Sequence, residues 1–379
     1  MHILFVIYHP GTLVNWITKL QPYLVNNKIS VIHIGKLHGI NVNTIPGLDL
    51  YDISKYSYWR QKKLIERLEP DVVVYLSFRS LYQLVLQRIC YEKNIKTVYI
   101  EHGLFSQDTI GHNLDRLKHV DKKALFKRNL RYGLSSVERI ICSSFFKELR
   151  VFYKYVKGDF GVAPYNHYFV YSPRSYKELS RIFLLDEHNT TLVGYPIFLD
   201  EEQKTTADQF VDKNKRIGIL YVHQPLIKDG IATCNYNDEK DYIVNIAASL
   251  KDRYGDLTLL LHPRSELKEY QERFKNEKIE VVQSPNNYRI FADKSLIVGH
   301  YSTALLYGLY FNIPTVVLDF PTTKNDPSFS EFFNYVSCIE DLKYKSFSNK
   351  EGMKEYVAGN NNTYEHIAKA FLEYCDKIK

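Results

Sequence analysis

Two loops in the second half of the sequence carry side chains suited to binding an anion. In the first of these loops, the apolar run Leu259–Leu261 ends in His262, Pro263 and Arg264. A histidine can donate a hydrogen bond or a proton to a phosphate leaving group, and an arginine can pair with a carboxylate or a phosphate. A histidine that is merely satisfied by a nearby carbonyl is the alternative for His262.

The other loop follows an apolar run that ends at Gly299, and it contains Ser302 and Thr303. Hydroxyl side chains at the start of a helix are usually N-caps. The backbone N–H groups at the same place also favour a phosphate, so both uses are compatible. A further loop carries Gln224 before Pro225, where the amide offers both a donor and an acceptor.

The first half of the sequence has one acidic loop of interest, Glu101-His102-Gly103, after a short apolar run. A carboxylate at the end of a strand, followed by a glycine that permits a tight turn, is well placed to act as a general base. A turn or a helix cap that includes an acid is the alternative. His9 and Thr12 follow the first apolar run, and we expect them to line the same cleft.

The elements that must position these loops alternate along the chain. Short β-rich apolar runs between helical segments are typical of a parallel sheet covered on both faces. The predicted strands are Ile3–Tyr8, Ile29–Ile34, Val72–Leu76, Thr97–Ile100, Arg139–Cys142, Arg216–Val222, Leu257–Leu261, Ile279–Val282, Ser295–Val298 and Thr315–Leu318. The predicted helices are Leu13–Leu24, Tyr58–Leu68, Leu81–Tyr91, Asp241–Tyr254, Ala304–Phe311 and Thr363–Lys379.

A polar stretch from Asp200 to Lys215 separates the two sets of strands and indicates a linker. The sequence therefore predicts an α/β protein with two doubly wound parallel-sheet domains that face a cleft. In such sheets ligands bind beyond the carboxyl ends of the strands, which is where the loops described above lie.

Composition agrees with a folded two-domain protein, because 45% of the 379 residues are hydrophobic and 25% are charged. The formal charge is +7, and seven Lys or Arg against one Asp lie between Arg116 and Arg131. This basic segment is either a solvated face or a contact with acidic lipid headgroups. It lacks the interleaved aromatic residues that stack on bases, so we expect no nucleic-acid partner.

Several other classes of protein are disfavoured. The five cysteines are scattered without CxxC spacing, which argues against a zinc site or a disulfide framework and favours a reduced, cytoplasmic compartment. The first residues indicate a buried strand rather than a signal peptide, and no run approaches the ~18 apolar residues of a spanning helix. No GxGxxG, Walker loop, HExxH or Asp-x-Asp occurs, so we expect no cofactor and no metal, and protein groups must neutralise any bound phosphate.

Taken together, the loops resemble those of bacterial sialyltransferases, polysialyltransferases and Kdo transferases that use CMP-activated sugars. Those enzymes share an acid-acid-Gly loop that supplies the base, a His-Pro pair, and a Ser-Ser/Thr pair that holds the CMP donor. His262-Pro263 and Ser302-Thr303 match in type and order, and Gln224-Pro225-Leu226 is similar to the opening of the donor domain. The first signature departs, because His102 replaces the second acid. That leaves open whether Glu101 or His102 is the base.

The resemblance implies a GT-B architecture and a metal-independent glycosyltransferase. It would have an acceptor domain over 1–205, a nucleotide-sugar domain over 216–362 and a last helix, 363–379, that crosses back to the first domain. The sugar, of sialic-acid type or Kdo, would pass from CMP to a surface glycan of a capsule or lipopolysaccharide, at the inner face of the cytoplasmic membrane. The implied site residues are Glu101, His102 and His262 for catalysis, Gln224, Pro263, Arg264, Gly299, Ser302 and Thr303 for the donor, and His9, Thr12 and Gly103 for the acceptor.

Two other functions remain open from the sequence. Polymerases of the teichoic-acid type, which transfer glycerol phosphate from CDP-glycerol, also show an early His-Gly loop and a later His-Pro, here His102-Gly103 and His262-Pro263. A non-catalytic, transferase-like binding protein is the other alternative.

Overall fold

The computed structural model describes residues 1–7, 16–33, 46–78, 80–102, 133–196, 216–228, 232, 234–283, 289–300, 302–321, 330–360 and 363–378. These residues divide into two compact units. The first unit contains the described residues of 1–102, 133–196 and 359–378, and the second unit contains those of 216–358. The predicted linker from Asp200 to Lys215 lies outside the described residues.

The first unit is built on a seven-stranded sheet in which every pairing found is parallel. Its strands are β1 (His2–Ile7), β2 (Lys28–His33), β3 (Asp49–Asp52), β4 (Val72–Tyr75), β5 (Lys96–Ile100), β6 (His167–Val170) and β7 (Thr190–Leu192). The order β3-β2-β1-β4-β5-β6-β7 means that the chain builds outward from β1 in one direction and then in the other. The order therefore reverses between β1 and β4, which is a topological switch point.

Several helices of the first unit start at polar caps that satisfy some of their first backbone N–H groups. Ser57 accepts a hydrogen bond from Arg60 N, and Ser80 forms a reciprocal capping box with Gln83. The helices are α1 (Thr18–Leu20), α2 (Tyr58–Leu68), α3 (Leu81–Glu92), α4 (133–141), α5 (Phe145–Val156), α6 (Pro173–Ser180) and, after the second unit, the last helix Tyr364–Lys377. Short 3₁₀ turns cover Gln21–Tyr23 and Phe160–Val162.

The predicted strand Arg139–Cys142 is wrong, because these residues belong to the end of α4 and the turn that follows it. The two isoleucines in this run favour a strand by intrinsic preference. The ion pairs of Arg139 outweigh this preference. Its side chain is 1% exposed and pairs with Glu92 at 2.5 Å and with Glu148 at 3.5 Å. This buried ion cluster fixes the segment as a helix packed on α3 and α5.

The last helix, Tyr364–Lys377, packs on the first sheet. Thr363 caps it by accepting a hydrogen bond from His366 N at 3.1 Å. Its buried face joins the core cluster that covers one side of strands β1, β2, β4, β5 and β6, and Phe371 lies 6.0 Å from the ring of Phe169. The apolar face of this helix is thus buried within the first unit.

The second unit is built on a six-stranded sheet, again with every pairing found parallel. Its strands are β8 (Ile219–Val222), β9 (Leu257–Leu260), β10 (Ile279–Val282), β11 (Leu296–Gly299), β12 (Thr315–Leu318) and β13 (Asn334–Val336). The order β10-β9-β8-β11-β12-β13 puts β8 between β9 and β11, and the switch point falls between β8 and β11.

The longest helix of the second unit starts at a capping box formed by Asn235 and Asp238 and ends before Gly255, which has a positive φ of 91°. The helices are α7 (Tyr236–Tyr254), α8 (Leu267–Phe274), α9 (Arg289–Ala292), α10 (Leu306–Phe311), α11 (Ile339–Tyr344) and α12 (Met353–Ala358), so the last helix of the chain is α13. The strands β8, β9, β11 and β12 are buried along their whole length.

Candidate functional site

Glu101 lies directly after β5 and is fully buried, with an exposed fraction of 0%. Its two carboxylate oxygens accept hydrogen bonds from Tyr171 N at 2.8 Å and from Ser175 Oγ at 2.9 Å. Ser175 lies in the first turn of α6, whose N-cap is Ser172. A carboxylate near the first turn of a helix is electrostatically favourable, which helps to explain how this acid is tolerated inside the unit.

The Glu101 carboxylate affects the pKa values of two tyrosines, the buried Tyr171 and the partly buried Tyr195. Burial, with the nearby Glu101 carboxylate as the next cause, raises the pKa of Tyr195 to about 12. The same two causes raise the pKa of Tyr171 well above its usual value. Both side chains therefore stay protonated at neutral pH, and the Tyr171 hydroxyl accepts a hydrogen bond from Trp16 Nε1 at 3.2 Å.

The neighbouring residue, His102, is exposed. Because the buried acid is held by the strand end and by α6, it fixes the backbone from which the imidazole of His102 extends. Of these two candidates for the base, only His102 has a solvent-accessible side chain. The other predicted acceptor residues, His9, Thr12 and Gly103, lie outside the described part of the chain.

His262 lies in the turn that follows β9 and is partly buried. Its Nδ1 accepts a hydrogen bond from Arg264 N at 3.1 Å, which in a neutral ring leaves the proton on Nε2. Pro263 and Arg264, the next two residues, are exposed. The turn therefore holds the imidazole in the tautomer that makes Nε2 a hydrogen-bond donor.

Two side chains outside this turn hold its backbone. Gln283, after β10, donates to His262 O at 3.0 Å and to Ser265 O at 2.9 Å. Lys228 Nζ donates to Arg264 O at 3.2 Å. Gln283 was not predicted as a site residue, because its only signal in the sequence is an amide at the end of a strand. Lys228 adds a cationic side chain beside the turn, where it favours an anion.

The loop after β11 differs from its prediction in one respect. The α-helix begins at Leu306 rather than at Ala304, and a 3₁₀ turn over Thr303–Leu305 precedes it. Ser302 Oγ accepts a hydrogen bond from Ala304 N at 3.3 Å, so Ser302 caps this turn. The hydroxyl and the turn's backbone N–H groups, rather than the dipole of a long helix, are what this loop can offer an anion.

Gly299 has a packing reason to be glycine. A Cβ placed on it would come within 2.8 Å of Val222 O and 3.2 Å of Leu305 Cδ2. The missing side chain lets the 3₁₀ turn lie against the adjacent strand β8. Gln224, which follows β8, is partly buried, and its backbone carbonyl accepts a hydrogen bond from Leu226 N at 2.7 Å.

A buried polar network not assigned from the sequence connects β8 to the His262 turn. His223, only 2% exposed, places Nε2 at 3.1 Å from Glu239 Oε1 and Nδ1 at 3.4 Å from Ser265 Oγ. Tyr270 donates to Glu239 at 2.9 Å, and Arg273 pairs with the same carboxylate at 3.2 Å. The signal in the sequence was the histidine at the end of β8, but its acidic partner in α7 cannot be identified from spacing.

The same face of α7 also holds the end of β11. Tyr242 OH lies 3.3 Å from His300 Nε2 and donates to Phe320 O at 3.0 Å. Burial lowers the pKa of His300 to about 4, so this ring is neutral at pH 7. His300 is therefore a structural histidine, with Nε2 at 3.0 Å from Phe320 O.

The second unit thus gathers three strand ends at one edge. The residues that follow β9, β8 and β11 lie on neighbouring strands, and two of these strands flank the switch point. The described side chains there include the His262 imidazole, the Gln224 amide and the Ser302 hydroxyl, with Arg264 and Lys228 as cations. This set of donors suits a phosphate-bearing ligand.

Within the described residues, no group of three or more His, Cys, Asp or Glu side chains is arranged to hold a metal ion. Among the helices of the same residues, none has both the length and the apolar character needed to cross a membrane.

Comparison with protein-family models and with curated proteins gives no match. Solved structures do match over nearly the whole chain. The calicheamicin glycosyltransferase CalG4 matches with a TM-score of 0.53 at 12% identity, covering 100% of this chain and 97% of that one. MurG of Acinetobacter baumannii matches with a TM-score of 0.53 at 9% identity, covering 99% of each chain.

A variant of the wall teichoic acid polymerase TagF matches with a TM-score of 0.51 at 12% identity, covering 100% of this chain and 89% of that one. Identities this low speak to fold and not to activity. With its two doubly wound parallel sheets, the chain has the GT-B fold of glycosyltransferases.

Proposed function

We propose that the chain is a glycosyltransferase that moves a sialic-acid-type or Kdo sugar from a CMP donor to a bacterial surface-glycan acceptor of a capsule or lipopolysaccharide. The observation that carries the proposal is the edge of the second sheet, where the loops of His262 and Ser302 follow the two strands that flank β8. These loops resemble the His-Pro and Ser-Ser/Thr signatures of the CMP-sugar transferases. The GT-B fold supports the same class of chemistry.

On the donor side, His262 would donate from Nε2 to the CMP phosphate as the bond from the anomeric carbon to the phosphate oxygen breaks. The electron pair leaves with the phosphate, so negative charge grows there in the transition state and a fixed donor stabilises it. Ser302, Thr303 and Gln224 would hold the nucleotide, and Gly299 would keep the loop close. Arg264 would pair with the carboxylate of the sugar or with the phosphate.

On the acceptor side, we assign the base to His102. It would take the proton of the acceptor hydroxyl as the oxygen attacks the anomeric carbon, an effect typically worth about 10²–10⁴-fold in rate. Glu101, whose two carboxylate oxygens already accept hydrogen bonds inside the first unit, would hold the loop that carries His102. His9, Thr12 and Gly103 stay proposed acceptor contacts. No metal or cofactor takes part in this proposal.

The test is turnover. Purified protein is incubated with CMP-Neu5Ac or CMP-Kdo and an oligosaccharide or lipid-linked acceptor, and release of CMP is measured. His102→Ala is expected to lower kcat by about 10²-fold or more. A matched control is His188→Ala, which removes an exposed histidine of the same unit. Turnover with a UDP- or GDP-sugar and with neither CMP-sugar would overturn the donor assignment.

A second function is favoured by one observation, the contrast between buried Glu101 and exposed His102. In this alternative the chain transfers glycerol phosphate from CDP-glycerol, with His102 as the base and His262 on the leaving nucleotide. Both activities need a cytidine nucleotide and the same two histidines. The two functions are therefore distinguished by which donor the protein turns over. Release of CMP from CDP-glycerol, without turnover of either CMP-sugar, would establish this alternative in place of the first.

A non-catalytic binding protein is separated by the same assay. Such a protein would bind a cytidine nucleotide without turning over any donor, and the bound nucleotide would raise the melting temperature of the protein.

For location, we propose the cytoplasmic side of the membrane. The basic segment from Arg116 to Arg131, the predicted lipid contact, lies outside the described residues.

A further inference from the structure

Helix α4 turns apolar side chains outward. Leu134 is 56% exposed, Val137 49% and Ile141 64%. Their spacing of three and four residues puts them on one face of the helix. An isolated exposed leucine needs no explanation, but a row of them along a helix does.

The next helix, α5, repeats the pattern. Its exposed apolar side chains are Phe145 (46%), Phe146 (84%), Leu149 (44%), Tyr153 (63%) and Val156 (68%). Phe146 and Tyr153, like Leu149 and Val156, are two turns apart and share a side. We call the exposed apolar side chains of α4 and α5 together the outward face.

The inward sides of these helices mix polar and apolar groups. α4 buries Ser135, Ser136 and Arg139 beside Ile140, and α5 buries Glu148 beside Phe152 and Tyr155. Arg139 and Glu148 contact each other at 3.5 Å, and Glu148 also pairs with Arg88 of α3 at 2.6 Å. Both helices therefore bury charged groups as part of their inward side, and they also turn a row of apolar groups away from the unit.

The exposed charged side chains of α5 are positive, and the turn after it contains the exposed Lys157 and Asp159. Lys147, Arg150 and Lys157 are exposed, whereas Glu148 is 2% exposed. Lys154 pairs with Asp159 at 3.5 Å. Apolar groups bordered by cations suit a surface that is both apolar and anionic.

We propose that the outward face of α4 and α5 binds the surface of an acidic lipid bilayer. Phe146, Leu149 and Val156 would enter the headgroup–acyl boundary, and Lys147, Arg150 and Lys157 would contact the anionic headgroups. A second copy of this chain is the weaker occupant. A two-fold dimer through this face would bring identical rows of cations together.

The experiment uses the full chain and does not depend on any donor. Protein is mixed with phosphatidylcholine vesicles prepared with or without phosphatidylglycerol, and the vesicle-bound fraction is measured by flotation. We expect binding to the phosphatidylglycerol vesicles that weakens as salt is raised. Equal binding to both kinds of vesicle, or binding to neither, overturns the proposal.

Two variants locate the contact. Phe146→Ser/Leu149→Ser/Val156→Ser is expected to lower the partition coefficient about tenfold or more, because it removes the side chains that enter the bilayer. Lys147→Gln/Arg150→Gln/Lys157→Gln is expected to lower binding to the acidic vesicles only. The control Val25→Ser/Leu184→Ser changes side chains of the same unit that are 66% and 93% exposed, and it should bind like wild type.

All three variants change exposed positions, and circular dichroism with a thermal melt checks that they fold. Light scattering after gel filtration tests the competing occupant. A dimer that the triple serine variant abolishes, in a protein that does not bind vesicles, would assign the outward face to a second copy. Unchanged vesicle binding by the triple serine variant would also contradict the proposal.

Discussion

Ser175 Oγ donates a hydrogen bond to the Glu101 carboxylate at 2.9 Å, inside the first unit and out of contact with solvent. The second hydrogen bond to this carboxylate comes from Tyr171 N, after β6. Glu101 thereby joins the ends of β5 and β6 to the first turn of α6. A charge with an exposed fraction of 0% depends on each of these donors.

Ser175→Ala should therefore lower the free energy of unfolding by about 1–3 kcal/mol, because it removes one donor from a buried carboxylate. Ser180→Ala in the same helix is the control, since that exposed hydroxyl only donates to Lys177 O. It should change stability by less than about 0.5 kcal/mol. Urea unfolding measures the change in the free energy of unfolding for both variants. Equal changes would mean that the Ser175 hydroxyl does not stabilise the buried Glu101 carboxylate.

The two carboxylates that share Arg273 offer a matched comparison in the second unit. Glu239 is buried, with a side chain 7% exposed, whereas Glu269 pairs with the same guanidinium from a side chain that is 54% exposed. Glu239→Gln should cost about 3 kcal/mol, since it also disturbs His223 and Tyr270. Glu269→Gln should cost less than about 1 kcal/mol. A cost for Glu269→Gln as large as that of Glu239→Gln in urea unfolding would show that the buried network does not stabilise this edge of the sheet.

Gly299→Ala should destabilise the second unit by about 1–3 kcal/mol, because the added methyl would meet Val222 O at 2.8 Å. Gly133→Ala is the opposite case. Among the residues that the structure describes, and apart from its chain neighbours and its own helix backbone, nothing lies within 4 Å of a Cβ built at the helical residue Gly133. That substitution should leave stability unchanged or raise it by up to about 1 kcal/mol. The melting temperatures of the two variants test this prediction. A melting temperature of Gly299→Ala equal to that of wild type would contradict the close packing of the 3₁₀ turn on β8.

Two buried histidines should make the protein sensitive to acid. Burial, with Lys377 as the next cause, lowers the pKa of His167 to about 4, and burial does the same for His300. An unfolded chain takes up a proton at each histidine near pH 6.5 while the folded chain does not. The stability contributed by each neutral ring is complete above about pH 6.5 and is lost as pH falls toward about 4, at up to about 1.4 kcal/mol per pH unit.

His167→Gln should therefore narrow the difference in melting temperature between neutral and mildly acidic buffer. His188→Gln, at an exposed position of the same unit, should leave that difference as it is in wild type. An identical difference in His167→Gln and wild type would show that His167 does not contribute to acid sensitivity.

Most of the architecture could be predicted from the sequence, since buried parallel strands give short apolar runs. Ile279–Val282 and Thr315–Leu318 agree in both bounds. The strand His167–Val170 was missed because its aromatic and histidine side chains give no aliphatic run. Arg139–Cys142 was misassigned because a buried ion cluster overrides strand preference, and no local pattern reveals a partner as distant in sequence as Glu92.

The candidate site also has features that could be predicted from the sequence and features that could not. The strand-end loops of Glu101, His262 and Ser302 could be located, because the rule for open parallel sheets depends only on where strands end. The burial of Glu101 could not be predicted, since it depends on Ser175 and Tyr171, which are distant in sequence. The pairing of His223 with Glu239 likewise requires the packing of α7 on β8.

The proposed donor site, the edge of the second sheet around His262, should bind a cytidine nucleotide. Its affinity is measured by calorimetric titration of CMP into the wild-type protein, His262→Ala and the control His188→Ala. We expect wild type and the control to bind CMP equally and His262→Ala to bind at least about tenfold more weakly, because a donor to the phosphate is lost. If wild type did not bind CMP, or if His262→Ala bound CMP with the same affinity, the edge of the second sheet around His262 would not be the nucleotide site.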